Sequence, residues 1–157
     1  MRVILLKFDC LNLNGRIYRK ESVIPLLDEL NSNDIYGELE NLPCEEVSPS
    51  EASHVVRNIR IEGEYLTGEV EILNTPKGEI LRKDLSNRVF RSRGQGWIDG
   101  LTHEVRLEKV FSFDAIKKED DAFEITDLQV IESDLEKEIS KIKKELKEEI
   151  INEIEKG

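Results

Sequence analysis

Apolar residues recur at every second position over several short stretches of the chain, which is the pattern of half-buried β-strands. The clearest pair lies at residues 53–61 and 65–73, on either side of a Glu62-Gly63-Glu64 turn. This spacing predicts an antiparallel hairpin. Further strands are predicted at residues 3–8, 35–39, 89–98 and 105–116, with one irregular strand within residues 120–133.

Helical spacing of apolar residues occurs in two shorter segments. Residues 20–30 form the first, with Pro25 near its first turn, where a missing N–H is tolerated. The second runs to about Leu85, and it is predicted to begin with Thr75 as N-cap and Pro76 as first helical residue.

The end of the chain has a heptad pattern. From Asp134, apolar residues recur at steps of four, three and four, and lysines and glutamates fill the other faces. This pattern predicts one long amphipathic helix over residues 134–157, with a phase slip at Glu149. The seam residues are Leu135, Ile139, Ile142 and Leu146.

These elements predict an α+β fold. It consists of a mostly antiparallel, barrel-like domain at residues 1–131 with flanking helices, followed by the C-terminal helix. A chain of 157 residues suits one such domain.

Composition restricts the classes of function. The formal net charge of −11 argues against nucleic acid as a partner, because affinity for phosphate rests on Lys and Arg. The apolar run at residues 3–6 is too short to span a membrane. The spacing of the two cysteines, Cys10 and Cys44, and of the two histidines does not suit a metal site, so neither metal nor cofactor is expected and both thiols are expected to be reduced.

Ser92 is a candidate nucleophile because it lies in a glycine-rich segment, residues 91–96, where a substrate backbone can approach. A serine needs a base to take its proton. Arg93 and the N–H groups around Gly94 are candidates for stabilising an oxyanion. The alternative from these residues alone is a serine in a polar turn between two solvated arginines.

His54 and Asp114 are candidate partners for Ser92. A neutral imidazole at His54 suits a general base, and activity would then rise with pH through its pKa, near the reference value of about 6.5. Asp114 is an acid within an apolar strand, where it could orient a histidine ring. The alternatives are a surface or core-edge histidine and an outward-facing aspartate. His103 lies in a predicted exposed turn.

Four segments within residues 1–131 carry a family resemblance. They are Asn12-Leu13-Asn14-Gly15-Arg16-Ile17-Tyr18, Tyr36-Gly37-Glu38-Leu39-Glu40, Ser53-His54-Val55-Val56 with residues 68–78 after it, and Ser92-Arg93-Gly94-Gln95-Gly96. In this order and spacing they resemble the prohead proteases of tailed bacteriophages, the capsid-maturation serine proteases related in fold to herpesvirus assemblin.

The resemblance implies a serine endopeptidase that cleaves scaffold and major capsid proteins inside the phage prohead, in the host cytoplasm. By position, His54 would be the base, Ser92 the nucleophile, Asp114 the orienting acid, and Arg93 and Gly94 the oxyanion hole. The C-terminal helix would pair with itself or with scaffold helices.

The chain departs from the family pattern at two places. Arg91 stands where a second serine usually precedes Arg-Gly, and Lys117-Lys118-Glu119-Asp120 replaces an Asp-x-x-x-x-Pro-Ser segment. If the residue before Ser92 were the nucleophile, the chain would be inactive. An inactive protease-fold protein with a scaffold or assembly role therefore stands as the alternative, and a small binding domain unrelated to phage is a third.

Overall fold

The structure, a computed structural model, describes residues 1–40, 47–123 and 142–148. Seven strands and three short α-helices account for most of the first two ranges. The strands are β1 (Arg2–Lys7), β2 (Ile17–Tyr18), β3 (Ile35–Gly37), β4 (His54–Glu62), β5 (Tyr65–Ile72), β6 (Arg88–Ile98) and β7 (Glu104–Lys117). The helices are α1 (Lys20–Val23), α2 (Leu27–Ser32) and α3 (Pro76–Asp84), with 3₁₀ turns at Ile24–Leu26, Leu85–Asn87 and Lys118–Asp120.

The first sheet is antiparallel and has the strand order β1-β5-β4-β3. Its centre is the predicted hairpin, in which β4 and β5 pair from His54↔Ile72 to Glu62↔Tyr65. The strict alternation is interrupted by a bulge between Arg57 and Arg60, where Asn58 adopts a φ of 50°. An extra residue at such a bulge shifts the side chains that follow it to the other face.

The second sheet has the order β2-β7-β6. β6 and β7 form a long antiparallel hairpin from Arg88↔Lys117 to Ile98↔Val105, and β2 joins β7 in parallel. The predicted strands at residues 89–98 and 105–116 are therefore confirmed within one or two residues. At the hairpin turn His103 has a φ of 63° and is exposed, as predicted.

The predicted closed barrel is wrong, because backbone hydrogen bonds join the two sheets at only one of their two seams within residues 1–40 and 47–123. At the first seam, Ala115 of β7 exchanges backbone hydrogen bonds with Glu38 and Glu40, next to β3. At the second seam β6 packs on β1. No backbone hydrogen bond joins those two strands within residues 1–40 and 47–123, where a side chain, Arg91, bonds the Ile4 carbonyl instead.

The two sheets enclose one apolar core with the helices packed against it. Its fully buried members come from both sheets, and they include Leu5, Val56, Phe90 and Phe113. Burial of such side chains stabilises the fold by about 1.5–3 kcal/mol each. The core fixes the middle of the β6–β7 hairpin, which carries the candidate site.

Proline accounts for a difference in the first helix. The prediction was one helix over residues 20–30, but the structure has α1, a 3₁₀ turn containing Pro25, and α2. Since α1 begins at Lys20, Pro25 falls in the second turn, where its missing N–H removes an internal hydrogen bond. The other helix agrees with the prediction: Pro76 is its first residue, and the Thr75 hydroxyl accepts from the Gly78 N–H at 2.9 Å.

The predicted C-terminal helix lies mostly outside the described residues. Residues 142–148 are helical and exposed, and the rest of 134–157 is not described. The irregular strand predicted within 120–133 is not described beyond Phe123, and residues 121–123 are not a strand. In the described ranges no helix is long and apolar enough to cross a membrane.

Candidate active site

Ser92 lines an open cleft of about 500 Å³ on the β6–β7 hairpin. Residues 92–98 of β6 line it together with Val105 and Leu107 of β7. Arg16 and Tyr18 also line it, and Tyr18 lies on β2, which pairs with β7 in the same sheet. Residues 94–98 are exposed, and β6 is the terminal strand of this sheet.

The turn at residues 12–16, here called the Asn12 turn, positions Arg16 and Tyr18 at the cleft. The Asn12 side-chain oxygen accepts from the N–H groups of Asn14 at 2.9 Å and Arg16 at 3.0 Å. Gly15 has a φ of 71°, a conformation that favours glycine. The chain then enters β2, which pairs with β7 at Glu104 and Val105. The Asn-x-Asn-Gly-Arg-x-Tyr segment therefore contributes to the lining of the cleft, which its sequence did not reveal.

Arg91 points away from the side of the strand that carries Ser92, since successive side chains of a strand alternate. Arg91 is buried, and its Nε and Nη2 donate to the two carboxylate oxygens of Asp121 at 2.8 Å each. Its Nη1 donates to the carbonyls of Ile4 and Phe90, at 2.9 and 2.7 Å. Of the two positions before Arg93, only Ser92 lines the cleft.

His54 is fully buried, and both of its ring nitrogens are hydrogen-bonded. Nε2 lies 2.6 Å from the Phe113 carbonyl oxygen, and Nδ1 lies 2.6 Å from the Ser53 hydroxyl. A carbonyl only accepts, so we assign the ring proton to Nε2, and Nδ1 accepts from Ser53. The ring also meets Phe90 edge-on at 4.8 Å, and Gly37 packs so closely that a Cβ there would lie 2.1 Å from Nε2.

Burial lowers the pKa of His54 to about 4. The loss of water around the charged ring is the main cause. Three smaller effects oppose it: the Phe113 carbonyl and the carboxylates of Asp114 and Glu38 raise the pKa. His54 is therefore a neutral imidazole at pH 7.

Strand β7 separates His54 from Ser92. Ser92 faces Phe113 across the β6–β7 ladder. Two residues along β7, Ala115 directs its N–H and C=O toward Glu38 and Glu40, away from β6. Phe113 directs its carbonyl the same way, because backbone groups alternate sides along a strand. His54 binds that carbonyl, so it lies on the far edge of β7, and no hydrogen bond joins it to Ser92 among the residues that the structure describes.

Asp114 is fully buried and has partners other than His54. Its Oδ1 accepts from the Glu38 N–H at 3.0 Å and from the Ser112 hydroxyl at 2.7 Å. Its Oδ2 accepts from Arg93 Nε at 2.7 Å. Asp114 and Arg93 are thus brought together as an ion pair, and Asp114 acts on the His54 ring only through space.

Gly94 and Gly96 are required by the close approach of β6 to β7. A Cβ at Gly94 would lie 2.3 Å from the Lys109 carbonyl, and one at Gly96 would lie 2.2 Å from the Arg106 carbonyl. The strand register shifts beside each of them. Both glycines therefore have a packing role, whatever their N–H groups contribute to catalysis.

The other segments of the resemblance meet beside His54. Glu38, whose N–H holds Asp114, also accepts from Lys77 at 2.8 Å, at the start of α3. The Thr75 hydroxyl donates to the Ala52 carbonyl at 2.6 Å. Within the described ranges, no three His, Cys, Asp or Glu side chains are grouped to hold a metal ion.

Comparison with solved structures gives the fold. The chain is similar to the capsid assembly protease of bacteriophage T4, gp21, with a TM-score of 0.64 and 19% sequence identity. The similarity covers 74% of this chain and 79% of that one. No protein-family model and no curated protein sequence matches the chain. The chain therefore has the fold of a phage capsid assembly protease. A sequence identity of 19% establishes the fold and nothing further.

Proposed function

We propose that this protein is a serine endopeptidase of tailed-phage head assembly and that Ser92 is its nucleophile. The observation that carries the proposal is that Ser92 lines an open cleft, whereas Arg91 turns inward. The fold shared with a capsid assembly protease supports the setting. The substrates would be scaffold and capsid-protein segments inside the prohead.

The cleft suits an extended peptide. Residues 94–98 of β6 are exposed on a terminal strand, and such an edge can pair with a peptide backbone. Arg16 and Tyr18 would then face the side chains of the bound peptide. A peptide paired with these residues would lie beside Ser92.

The reaction would follow acyl transfer at serine. The Ser92 hydroxyl would attack the peptide carbonyl and pass its proton to a base, the amine would leave with a proton, and water would hydrolyse the ester. His54 would serve as base only after its ring leaves the Phe113 carbonyl and Ser53, because both nitrogens are engaged. Arg93 and the Gly94 N–H remain the candidates for the oxyanion hole.

The test is Ser92→Ala in a cleavage assay with the phage's own scaffold and capsid proteins. We expect cleavage to fall by about a thousandfold or more. The matched control is Ser86→Ala, since Ser86 is an exposed serine just before β6. Undiminished processing by the Ser92 variant would refute the proposal.

The position of His54 favours a second candidate function, a catalytically inactive assembly or scaffold component with the same fold. In the observed arrangement His54 lies across β7 from Ser92, so the hydroxyl has no base from that histidine. This candidate predicts that a fluorophosphonate probe leaves Ser92 unlabelled. It also predicts that the intact chain remains in mature particles, in amounts measurable by quantitative mass spectrometry.

A further inference from the structure

Arg91 and Asp121 form a buried ion pair that is joined by two hydrogen bonds. Both side chains are buried, and both carboxylate oxygens are bonded to the guanidinium. A planar guanidinium fits a carboxylate in this way, whereas a lysine does not. Arg91 also bonds the Ile4 carbonyl, so it fills the seam where β6 and β1 lack backbone hydrogen bonds.

The carboxylate end of the pair organises the segment after β7. Asp121 Oδ1 accepts from the Phe123 N–H at 3.0 Å. The Phe123 ring lies 5.8 Å from the Arg91 guanidinium and 5.9 Å from the Tyr18 ring. The intervening Ala122 carbonyl accepts from the Leu13 N–H at 2.9 Å.

These contacts lead to residues that line the Ser92 cleft. Leu13 belongs to the Asn12 turn, which leads to Arg16 and Tyr18. At the other end of these contacts, Arg91 donates to the carbonyl of Phe90, which lies two residues before Ser92. The pair thus links β6, which carries Ser92, to the turn that leads to Arg16 and Tyr18, which also line the cleft.

We propose that the Arg91–Asp121 pair is a positioning device for the Ser92 cleft. It holds residues 121–123 against the Asn12 turn and Tyr18, and this contact fixes the position of Arg16 and Tyr18 relative to the β6 residues that line the cleft. Arg91 stands where a serine is usual in the resembling family, and a serine is too short to reach Asp121. The role of the pair in cleavage rests on the function proposed above, whereas its role in ordering the turn does not.

The experiment replaces the pair in the full chain with apolar residues of similar volume, Arg91→Met with Asp121→Leu. Such a replacement commonly keeps a protein folded, because it leaves no buried charge unpaired. Hydrogen exchange of the peptide covering residues 11–18 reports on the turn. We expect about tenfold faster exchange there, with the β4–β5 hairpin unchanged. Where Ser92 of the parent reacts with a fluorophosphonate, labelling of the double variant should slow by a similar factor.

The matched control is Arg88→Lys, which alters another buried arginine of β6, paired with Asp84 away from the cleft. It should leave exchange at residues 11–18 unchanged. Arg91→Lys keeps the charge and should raise that exchange by a smaller factor. Parental exchange in a folded double variant would overturn the inference, as would general unfolding of both Arg91 variants, since the pair would then hold the whole fold. If the fluorophosphonate does not label Ser92 in the parent, that result counts against the proposed protease activity. It leaves the hydrogen-exchange test of the pair unaffected.

Discussion

The His54 imidazole is held in its neutral form by complete burial, and both of its ring nitrogens are hydrogen-bonded. Protonation would reverse the hydrogen bond between Nδ1 and the Ser53 hydroxyl, with the hydroxyl oxygen as acceptor, and it would leave a charge in an apolar surrounding beside Phe90. Ser53, the serine that His54 contacts, is itself fully buried and offers no access to a substrate. The geometry therefore gives His54 a structural role in the observed state.

This environment predicts a pH-dependent stability. The pKa of His54 is about 4 in the folded chain, and its reference value is 6.5. Between these values the unfolded chain binds the extra proton, so stability falls as pH falls from 6.5 to 4, by up to about 3 kcal/mol, and this contribution is constant above 6.5. Urea unfolding at several pH values measures it.

The control variants separate His54 from the carboxylates that titrate in the same range. His54→Gln should lose this part of the slope. His103→Asn, which alters the exposed histidine, should keep the parental slope. A parental slope in His54→Gln would show that other groups cause the dependence.

The same pKa changes the expected activity profile. A base with a reference pKa would give a rise in rate near pH 6.5, as the sequence predicts. A base with the buried pKa of about 4 gives a rise below pH 5 and a flat profile from pH 5 to 8. Single-turnover cleavage across this range measures it. A rise centred near pH 6.5 would mean that His54 is not buried in the resting enzyme, or that another group acts as the base.

At the scale of elements, the β6–β7 hairpin depends on glycines at its bulges. Gly96→Ala would place a Cβ against the Arg106 carbonyl, and a backbone atom cannot move aside without shifting the strand. We expect a loss of about 2 kcal/mol in unfolding free energy. Chemical denaturation measures it.

Gly100→Ala is the matched control for that substitution, because nothing lies within 4 Å of a Cβ at Gly100 and its φ is not positive. It should change stability by less than about 0.5 kcal/mol. Equal losses in the two variants would contradict the packing role of Gly96.

Element types followed from the local pattern where the pattern was strong. The β4–β5 hairpin and the capped start of α3 agree with the prediction because alternation, turn residues and an N-cap act over a few residues. The local pattern did not predict the break in the first helix or the bulge at Asn58. A proline is tolerated in the first turn of a helix and interrupts the helix further along, so the effect of Pro25 depends on where the helix begins. The bulge at Asn58 depends on how β4 pairs with its partner strand.

At the scale of the whole molecule, the proposed self-association through residues 134–157 can be tested at its apolar seam. Ile142 and Leu146 are about half exposed within the helical residues 142–148. Ile142→Lys with Leu146→Lys should abolish association, because charges at adjacent seam positions repel and are costly to bury. Sedimentation equilibrium measures it. Lys144→Gln, outside the seam, should associate like the parent, and an unchanged mass in the double variant would contradict the proposal.

The sequence by itself determined the class of the fold, the hairpins and the segments that carry the resemblance, because these depend on residue types at short spacing. It nominated Ser92, and the structure gives that residue a cleft. The tertiary structure alone decided the rest. Whether His54 meets Ser92 depends on which edge of β7 each contacts, and whether Arg91 is solvated depends on Asp121, thirty residues along the chain. Such pairings join residues distant in sequence, and no local pattern records them.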